Sequence, residues 1–225
     1  MSHTDFIPNI PATWDTCPIY AEGVLLPKKN TNDPDTFSKG KTPLGLSWGK
    51  HFKASDSKLF IEKEPDKFKA LGVFTGARSN GLVMFDVDRN LAALQKKWGK
   101  DLKNAPKITS KKPNAAKFLF YVPEKYWVSV HSVSHSGADN EGWEILWNGQ
   151  GVIAGEYYKK EYGKGEYRIE GDLENIPEAP EWLLSRMKKA HDDRFAKIDV
   201  KYVDNRWSKR TREEKIAIAA SCLSV

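Results

Sequence analysis

The residues best suited to chemistry lie in the stretch Gly81 to Arg89, where Asp86 and Asp88 follow a strongly apolar run. Read as a strand, it puts Val83, Phe85 and Val87 on one face and Asp86 and Asp88 on the other, because strand side chains have a period of two. Two carboxylates on one face repel each other. Where oxygen ligands cluster, the usual compensation is a divalent metal. Solvated acids at a strand end are the plainer reading, but these two emerge directly from a core-like sequence. Two other stretches carry polar groups opposite apolar faces. In Lys117 to Val122, Phe118, Phe120 and Val122 form one face and Lys117, Leu119 and Tyr121 the other. In Trp143 to Trp147, a bulky face of Trp143, Ile145 and Trp147 turns Glu144 the opposite way. If these strands lie side by side, three carboxylates and a lysine converge on one sheet surface. Two-metal phosphoryl transfer has that composition, with carboxylates for the ions and a cation for phosphate charge.

The elements that must position these groups follow from periodicity and turn chemistry. A first strand is expected within Pro18 to Pro27, a loop over Lys28 to Lys41, and a short helix over Lys63 to Leu71. Gly72 to Gly76 reads as a strand that turns at Ala77 to Asn80 into the Asp86 strand, a hairpin. Leu91, Leu94, Trp98 and Leu102 recur at helical spacing, so Arg89 to Leu102 is expected to pack as an amphipathic helix on the sheet. Lys107 to Ser110 is a brief strand and Lys111 to Asn114 a basic turn. Asn148-Gly149 after the Glu144 strand is a hairpin signal, with Gln150 to Ala154 returning. Tyr167 to Ile169 is a further strand. Pro180 to Ala190 is a helix, His191 to Lys209 a charged linker, and Thr211 to Glu214 a capping box opening a last helix. The fold class is α+β: a hairpin-rich, mainly antiparallel sheet flanked by helices. The expected division is a domain over residues 1–190, a linker over 191–209 and the start of a truncated helical region over 210–225.

Composition excludes several classes. The 225 residues are 40% hydrophobic and 12% aromatic, enough for a core. The net charge of +6 favours a polyanionic partner. Cys17 and Cys222 stand at opposite ends with no Cys/His cluster, which argues against a zinc site or a disulfide framework and suits a reducing compartment. No apolar run is long enough to span a membrane and the N-terminus does not read as a signal peptide, so a cytoplasmic, non-secreted protein is expected.

A hydrophobic strand with Asp86 and Asp88, then Ser110 with a basic turn and strand, then Glu144 on a strand: this ordered set resembles the archaeo-eukaryotic primase superfamily. Within it the likeness is to the primase-polymerase domains of phages, plasmids and cyanobacteria. Lys41 to Leu44 with Trp48, and Gly72 to Gly76 leading into the Asp86 strand, also resemble that family's opening. The resemblance covers roughly residues 18 to 185. It implies an RRM-like catalytic core and template-dependent nucleotidyl transfer on single-stranded DNA, as a primase, a polymerase or both. It further implies Mg²⁺ or Mn²⁺ on Asp86, Asp88 and Glu144, nucleoside triphosphates as substrates, and a helicase fused or in trans. Many members carry Ser-x-His in the second motif. Here Thr109 to Lys117 has no histidine, and Lys117 stands where the family would place it. A lysine can hold a triphosphate as a point charge, with Ser110, Lys111 and Asn114 as further nucleotide-binding candidates.

Lys112, Lys159, Lys160, Arg168 and Tyr157 are the candidates for contact with nucleic acid, with Lys164, Tyr158, Tyr162 and Tyr167 beside them for charge and stacking. Arg206, Lys209, Arg210 and Arg212 are further basic candidates. Each has a plainer reading, lysines and arginines as solvated charges and tyrosines as packing. His131 and His135 read as parts of a polar loop. Phosphatases with an aspartyl nucleophile want a Thr or Ser after the second Asp, where Arg89 and Asn90 stand, and a nucleotide-sugar transferase leaves Glu144 without a role. The alternative from another class is a non-catalytic replication-initiator DNA-binding domain, which needs the basic and aromatic residues but not three carboxylates.

Overall fold

The computed structural model describes residues 3–28, 34–44, 52–137, 140–159 and 161–205. Nine strands and three helices are described: β1 (Thr16–Tyr20), α1 (Ala54–Lys63), β2 (Phe68–Phe74), β3 (Leu82–Arg89), α2 (Leu91–Asn104), β4 (Lys107–Thr109), β5 (Ala116–Tyr121), β6 (Val133–Ser136), β7 (Gly142–Leu146), β8 (Gln150–Lys159), β9 (Gly163–Glu170) and α3 (Glu181–Asn205). The strands form one sheet in the order β1-β2-β8-β9-β4-β5-β3-β7-β6, and every pairing in it is antiparallel. The α+β expectation is met.

Two layers of core hold this sheet. On one face of β3, β5 and β7, Val83, Phe85 and Val87 meet Phe118, Phe120, Val122, Trp143, Ile145 and Trp147. Helices α2 and α3 cover that face with Leu94, Trp98, Leu102, Leu183, Leu184 and Met187. Trp98 stacks on Trp182 at 4.1 Å and meets Phe85 edge-on at 5.8 Å, clamping the two helices onto the strand. The opposite face of β3 and β5 contributes Leu82, Met84 and Leu119 to a second core, with Ile108 of β4 and Ile19, Leu71, Val73, Val152 and Ile153 of β1, β2 and β8. A Cβ on Gly151 in β8 would sit 2.6 Å from the Met84 sulfur in β3. Since β8 and β3 lie four places apart in the sheet, that approach means the β1–β2–β8 end curls over the β3 end. Trp14, fully buried, joins the ends by donating its indole N–H to the Tyr121 hydroxyl at 2.8 Å.

Several local expectations differ from what is observed. The helix expected over Lys63 to Leu71 ends at Lys63, and Phe68 to Leu71 is strand. Pro65 lacks an N–H and disfavours helix in the residue before it, while the apolar run after it is buried between β1 and β8. The stretch read as a hairpin around Ala77 to Asn80 is closed by a single antiparallel bridge, Gly76 to Leu82, and the one around Asn148-Gly149 is a reversal, but neither β2–β3 nor β7–β8 pairs along its length. β2 bonds to β1 and β8, and β7 to β3 and β6. The hairpins are instead β4–β5, β6–β7 and β8–β9. The His131 to His135 stretch read as loop contains edge strand β6, with His135 stacked on Trp143 at 4.9 Å. Helix α3 continues to Asn205 through most of the stretch read as a linker. Trp48, Lys160, Arg206, Lys209, Arg210, Arg212, Cys222 and the capping box at Thr211 lie outside the described residues.

Candidate active site

The site begins with strand register. On β3, Asp86 is the direct neighbour of Lys117 on β5 and of Glu144 on β7. Cross-strand neighbours share a face with Cβ atoms about 4.5–5.5 Å apart, so the lysine and the two carboxylates form one row across three strands. Glu144 in turn opposes Ser134 on β6, whose hydroxyl donates to Glu144 Oε1 at 3.3 Å. The row lies just past the end of the inner core: Met84, fully buried, is two residues before Asp86 on the same face.

Asp88 is placed differently. Val87 pairs with Trp143 and Arg89 with Gly142, leaving Asp88 as the extra residue of a bulge. Bulges re-aim side chains and recur beside active sites; here the bulge turns Asp88 toward the basic turn after β4, where its Oδ1 accepts a hydrogen bond from the Lys112 ammonium. Asp86 Oδ2 accepts likewise from Lys117, and that pair is largely withdrawn from solvent, with side chains 13% and 18% exposed for Lys117 and Asp86. Burial pushes the Asp88 carboxyl up, but the Lys112 hydrogen bond and charge, reinforced by Lys117 and Lys41, outweigh it and leave the group below its ordinary value. Tyr167 on β9 responds in the opposite sense. Burial first, then the charges of Asp86, the Tyr157 phenol and Asp88, hold its phenol well above the usual range, so it stays protonated.

These groups line a cleft of about 260 Å³ whose walls include Lys41, Asp86, Asp88, Ser110, Lys112 and Lys117, with Glu144 and Tyr167. It shares wall residues with two larger clefts, Ser110 with one and Asp88, Lys112 and Glu144 with the other. One, of about 590 Å³, is bounded by Ser110, Lys111, Lys164 and Arg168 with Glu156 and Glu166. The other, of about 470 Å³, is bounded by Asp88, Arg89, Lys112, Ser134, Ser136 and Glu144 among others.

Of the residues singled out from sequence, Asp86, Asp88, Glu144, Lys117, Ser110 and Lys112 come together in the central cleft, where Tyr157 and Tyr167 also form part of the wall. Lys111 contributes its backbone, donating its N–H to the Tyr157 hydroxyl at 2.9 Å, while its ammonium turns into the neighbouring cleft and donates to the Lys164 carbonyl at 2.6 Å. Asn114 does not line the cleft. It is an exposed turn residue at φ 55°, and its carbonyl receives the Leu91 N–H at the start of α2. Arg168 lies in the 590 Å³ cleft and is paired to Glu166. Tyr157 is buried, 7% exposed, with its ring against Tyr167 at 4.7 Å, so it presents no face for a base; its neighbour Tyr158 is half exposed. Lys159 ends β8. Sequence reasoning did not single out Lys41, Ser134 and Arg89 as site residues. Lys41 comes from a loop with no periodicity, Ser134 from a stretch read as loop, and Arg89 is marked only by following Asp88.

Among the described residues no three His, Cys, Asp or Glu side chains are grouped closely enough to hold a metal as they stand. Each aspartate closes on a lysine instead. The donor set of Asp86, Asp88 and Glu144 is nevertheless all carboxylate oxygen, which suits Mg²⁺ or Mn²⁺, and the ammonium groups already supply positive charge beside it.

Residues 11–182 match the family of bifunctional DNA primase/polymerase N-terminal domains, called Prim-Pol. The chain belongs to the Prim-Pol family. The match spans more than half of the sequence and includes β1 to β9, so the carboxylate row sits inside a domain of primase/polymerase type, whose substrates are DNA and nucleotides. No curated protein matches the chain. Among the described residues no helix is long and apolar enough to cross a membrane.

Proposed function

We propose that this Prim-Pol chain joins nucleotides on a single-stranded DNA template, with Asp86, Asp88 and Glu144 holding two Mg²⁺ or Mn²⁺ ions. The observation that carries the reading is the row Lys117–Asp86–Glu144 with Asp88 beside it, acids and cations together in one cleft. Bound there, such ions supply the Lewis acidity that phosphoryl transfer uses at both the attacking and the leaving oxygen. The residues of the chain do the rest. Lys117 and Lys112, once their aspartates are otherwise neutralised, face the cleft as free ammonium groups and, with Lys41, balance the charge of a triphosphate. Ser110 adds a hydroxyl to the same wall. Tyr157 fixes the basic turn by accepting the Lys111 N–H, and the protonated Tyr167 offers a neutral wall against the nucleotide. Arg168 and Lys164, in the 590 Å³ cleft, and half-exposed Tyr158 line a path for single-stranded template.

The test is template-dependent extension with labelled nucleotides and Mg²⁺ or Mn²⁺, for the native chain and for Asp86→Ala/Asp88→Ala. Extension by the native chain and its loss in the double variant, with single-strand binding retained, is the expected result. Extension that survives the double change would sink the metal assignment. No extension by the native chain, with strand binding intact, would favour a replication-initiator DNA-binding domain.

A further inference from the structure

The carboxylate row is flanked by two unlike walls. On the β5 side the central cleft carries Lys117 and Lys41, while Lys112, paired with Asp88, stands on the boundary and lines both clefts. On the β6–β7 side the 470 Å³ cleft carries Ser134, Ser136 and Arg89. Nucleotidyl transfer is an in-line displacement, so attacking and leaving oxygens must lie on opposite sides of the reacting phosphorus. The leaving pyrophosphate bears the greater charge and belongs with the lysines. The attacking hydroxyl therefore arrives from the β6–β7 side.

That side has a group able to hold a phosphate. Arg89 Nη2 donates to Ser136 Oγ at 2.9 Å, which orients the guanidinium, and among the described residues Arg89 pairs with no carboxylate. The chain makes room for it: a Cβ on Gly142, the register partner of Arg89, would lie 2.7 Å from Arg89 Nε. Arg89 follows directly on the Asp88 bulge, so the backbone distortion that aims Asp88 at Lys112 also fixes where the guanidinium starts. A guanidinium is a planar fork of donors matched to phosphate oxygens.

We infer that the cleft between Arg89 and Glu144 seats the nucleotide bearing the attacking 3′ hydroxyl, and that Arg89 holds the phosphodiester on its 5′ side. This rests on the nucleotidyl-transfer reading proposed above. In the step, the O3′–Pα bond forms as the bond from Pα to the β-phosphate oxygen breaks. Pyrophosphate leaves toward Lys117 and Lys41, and the hydroxyl proton passes to water. Arg89 is a binding residue for the primer end and makes no contact with the incoming triphosphate.

Extension kinetics test this with two primers, one normal and one carrying a neutral methylphosphonate at its last linkage, on native chain and Arg89→Ala. A lost charge-assisted contact to phosphate is expected to raise the primer KM about tenfold, with the nucleotide KM unchanged. The methylphosphonate should impose a similar rise on the native chain and almost none on Arg89→Ala, because both remove the same contact. Anisotropy with labelled primer–template should show the same pattern in affinity. Thermal unfolding controls for folding, which an exposed Arg89 should not disturb. Additive effects of the two changes, or a rise in nucleotide KM instead of primer KM, would overturn the assignment while leaving nucleotidyl transfer standing. A native chain that extends neither primer would count against nucleotidyl transfer itself.

Discussion

Replacing Lys117 by Met tests the charge balance of the site through stability as well as activity. Lys117 and Asp86 are paired with side chains only 13% and 18% exposed, and Asp86 also borders Glu144 across β3–β7. Removing the ammonium leaves a largely desolvated carboxylate beside a second one. Breaking a fully buried pair costs about 3–5 kcal/mol. The residual exposure lowers this to about 2 kcal/mol, which for a domain of this size is about 4–8 °C in Tm. Adding Asp86→Asn to Lys117→Met should recover much of the loss, since the stranded charge is then gone. Mn²⁺ should recover it as well, and should stabilise Lys117→Met more than the native chain, whose lysine competes for the same carboxylate. An ion at about one hundred times its Kd adds about 2.7 kcal/mol. The assay is thermal unfolding with EDTA and with Mn²⁺ for the four chains of the double-mutant cycle. If Lys117→Met unfolds at the native Tm in EDTA and gains no more from Mn²⁺ than the native chain, Lys117 is not the counter-ion of Asp86 and the coupling argued here is wrong.

Two other outcomes follow from named contacts. The folded-state pKa of Asp88 is depressed, so its stabilising contribution is present above the ordinary carboxylate value of 3.8 and is lost as pH falls through the folded value. The stability gap between native and Lys112→Ala should therefore be seen near neutrality and close below that value, by urea unfolding across pH; a gap that widens on acidification would contradict it. Gly151→Ala drives a Cβ to 2.6 Å from the Met84 sulfur, which is fully buried and cannot withdraw into solvent. Overpacking of this kind costs about 1–3 kcal/mol, so Tm should fall, with extension activity falling further than stability because Met84 lies two residues before Asp86. An unchanged Tm would mean that the sheet does not curl as tightly as this contact requires.

The fold was legible wherever one face of a strand is buried. Period-two alternation placed Val83, Phe85 and Val87, then Phe118, Phe120 and Val122, then Trp143, Ile145 and Trp147 on a common apolar face, and all nine are buried there. Strand order was not legible. Asn148-Gly149 carries the chemistry of a tight reversal, but that chemistry acts over a few residues, whereas the partner of β8 is set by burial of its apolar run between β2 and β9. At Ala77 to Asn80 the same local logic found the reversal and its one bridge, Gly76 to Leu82, but not that β2 pairs along its length with β1 and β8. Pro65 was a visible stop signal that apolar spacing alone passed over, and edge strand β6 was hidden because Ser134 and Ser136 face no core.

Period two also explains how much of the candidate site could be read. It dictates that Asp86, Lys117 and Glu144 each oppose an apolar face, so a shared surface follows once their strands adjoin. Adjacency itself depends on β5 and β7 both choosing β3, a choice made by the aromatic cluster around Phe85, Phe118 and Trp143. Asp88 escapes the rule because a bulge intervenes between Val87 and Arg89, and nothing in the local sequence announces it. Tyr157 escapes it for another reason. Its ring lies over Gly165, its partner across the β8–β9 hairpin, and a Cβ there would come within 2.7 Å of it. The missing side chain on one strand thus buries an aromatic on the next and frees its hydroxyl to hold the basic turn through Lys111. Chemistry that depends on one side chain's face was readable, and chemistry that depends on what the neighbouring strand leaves out was not.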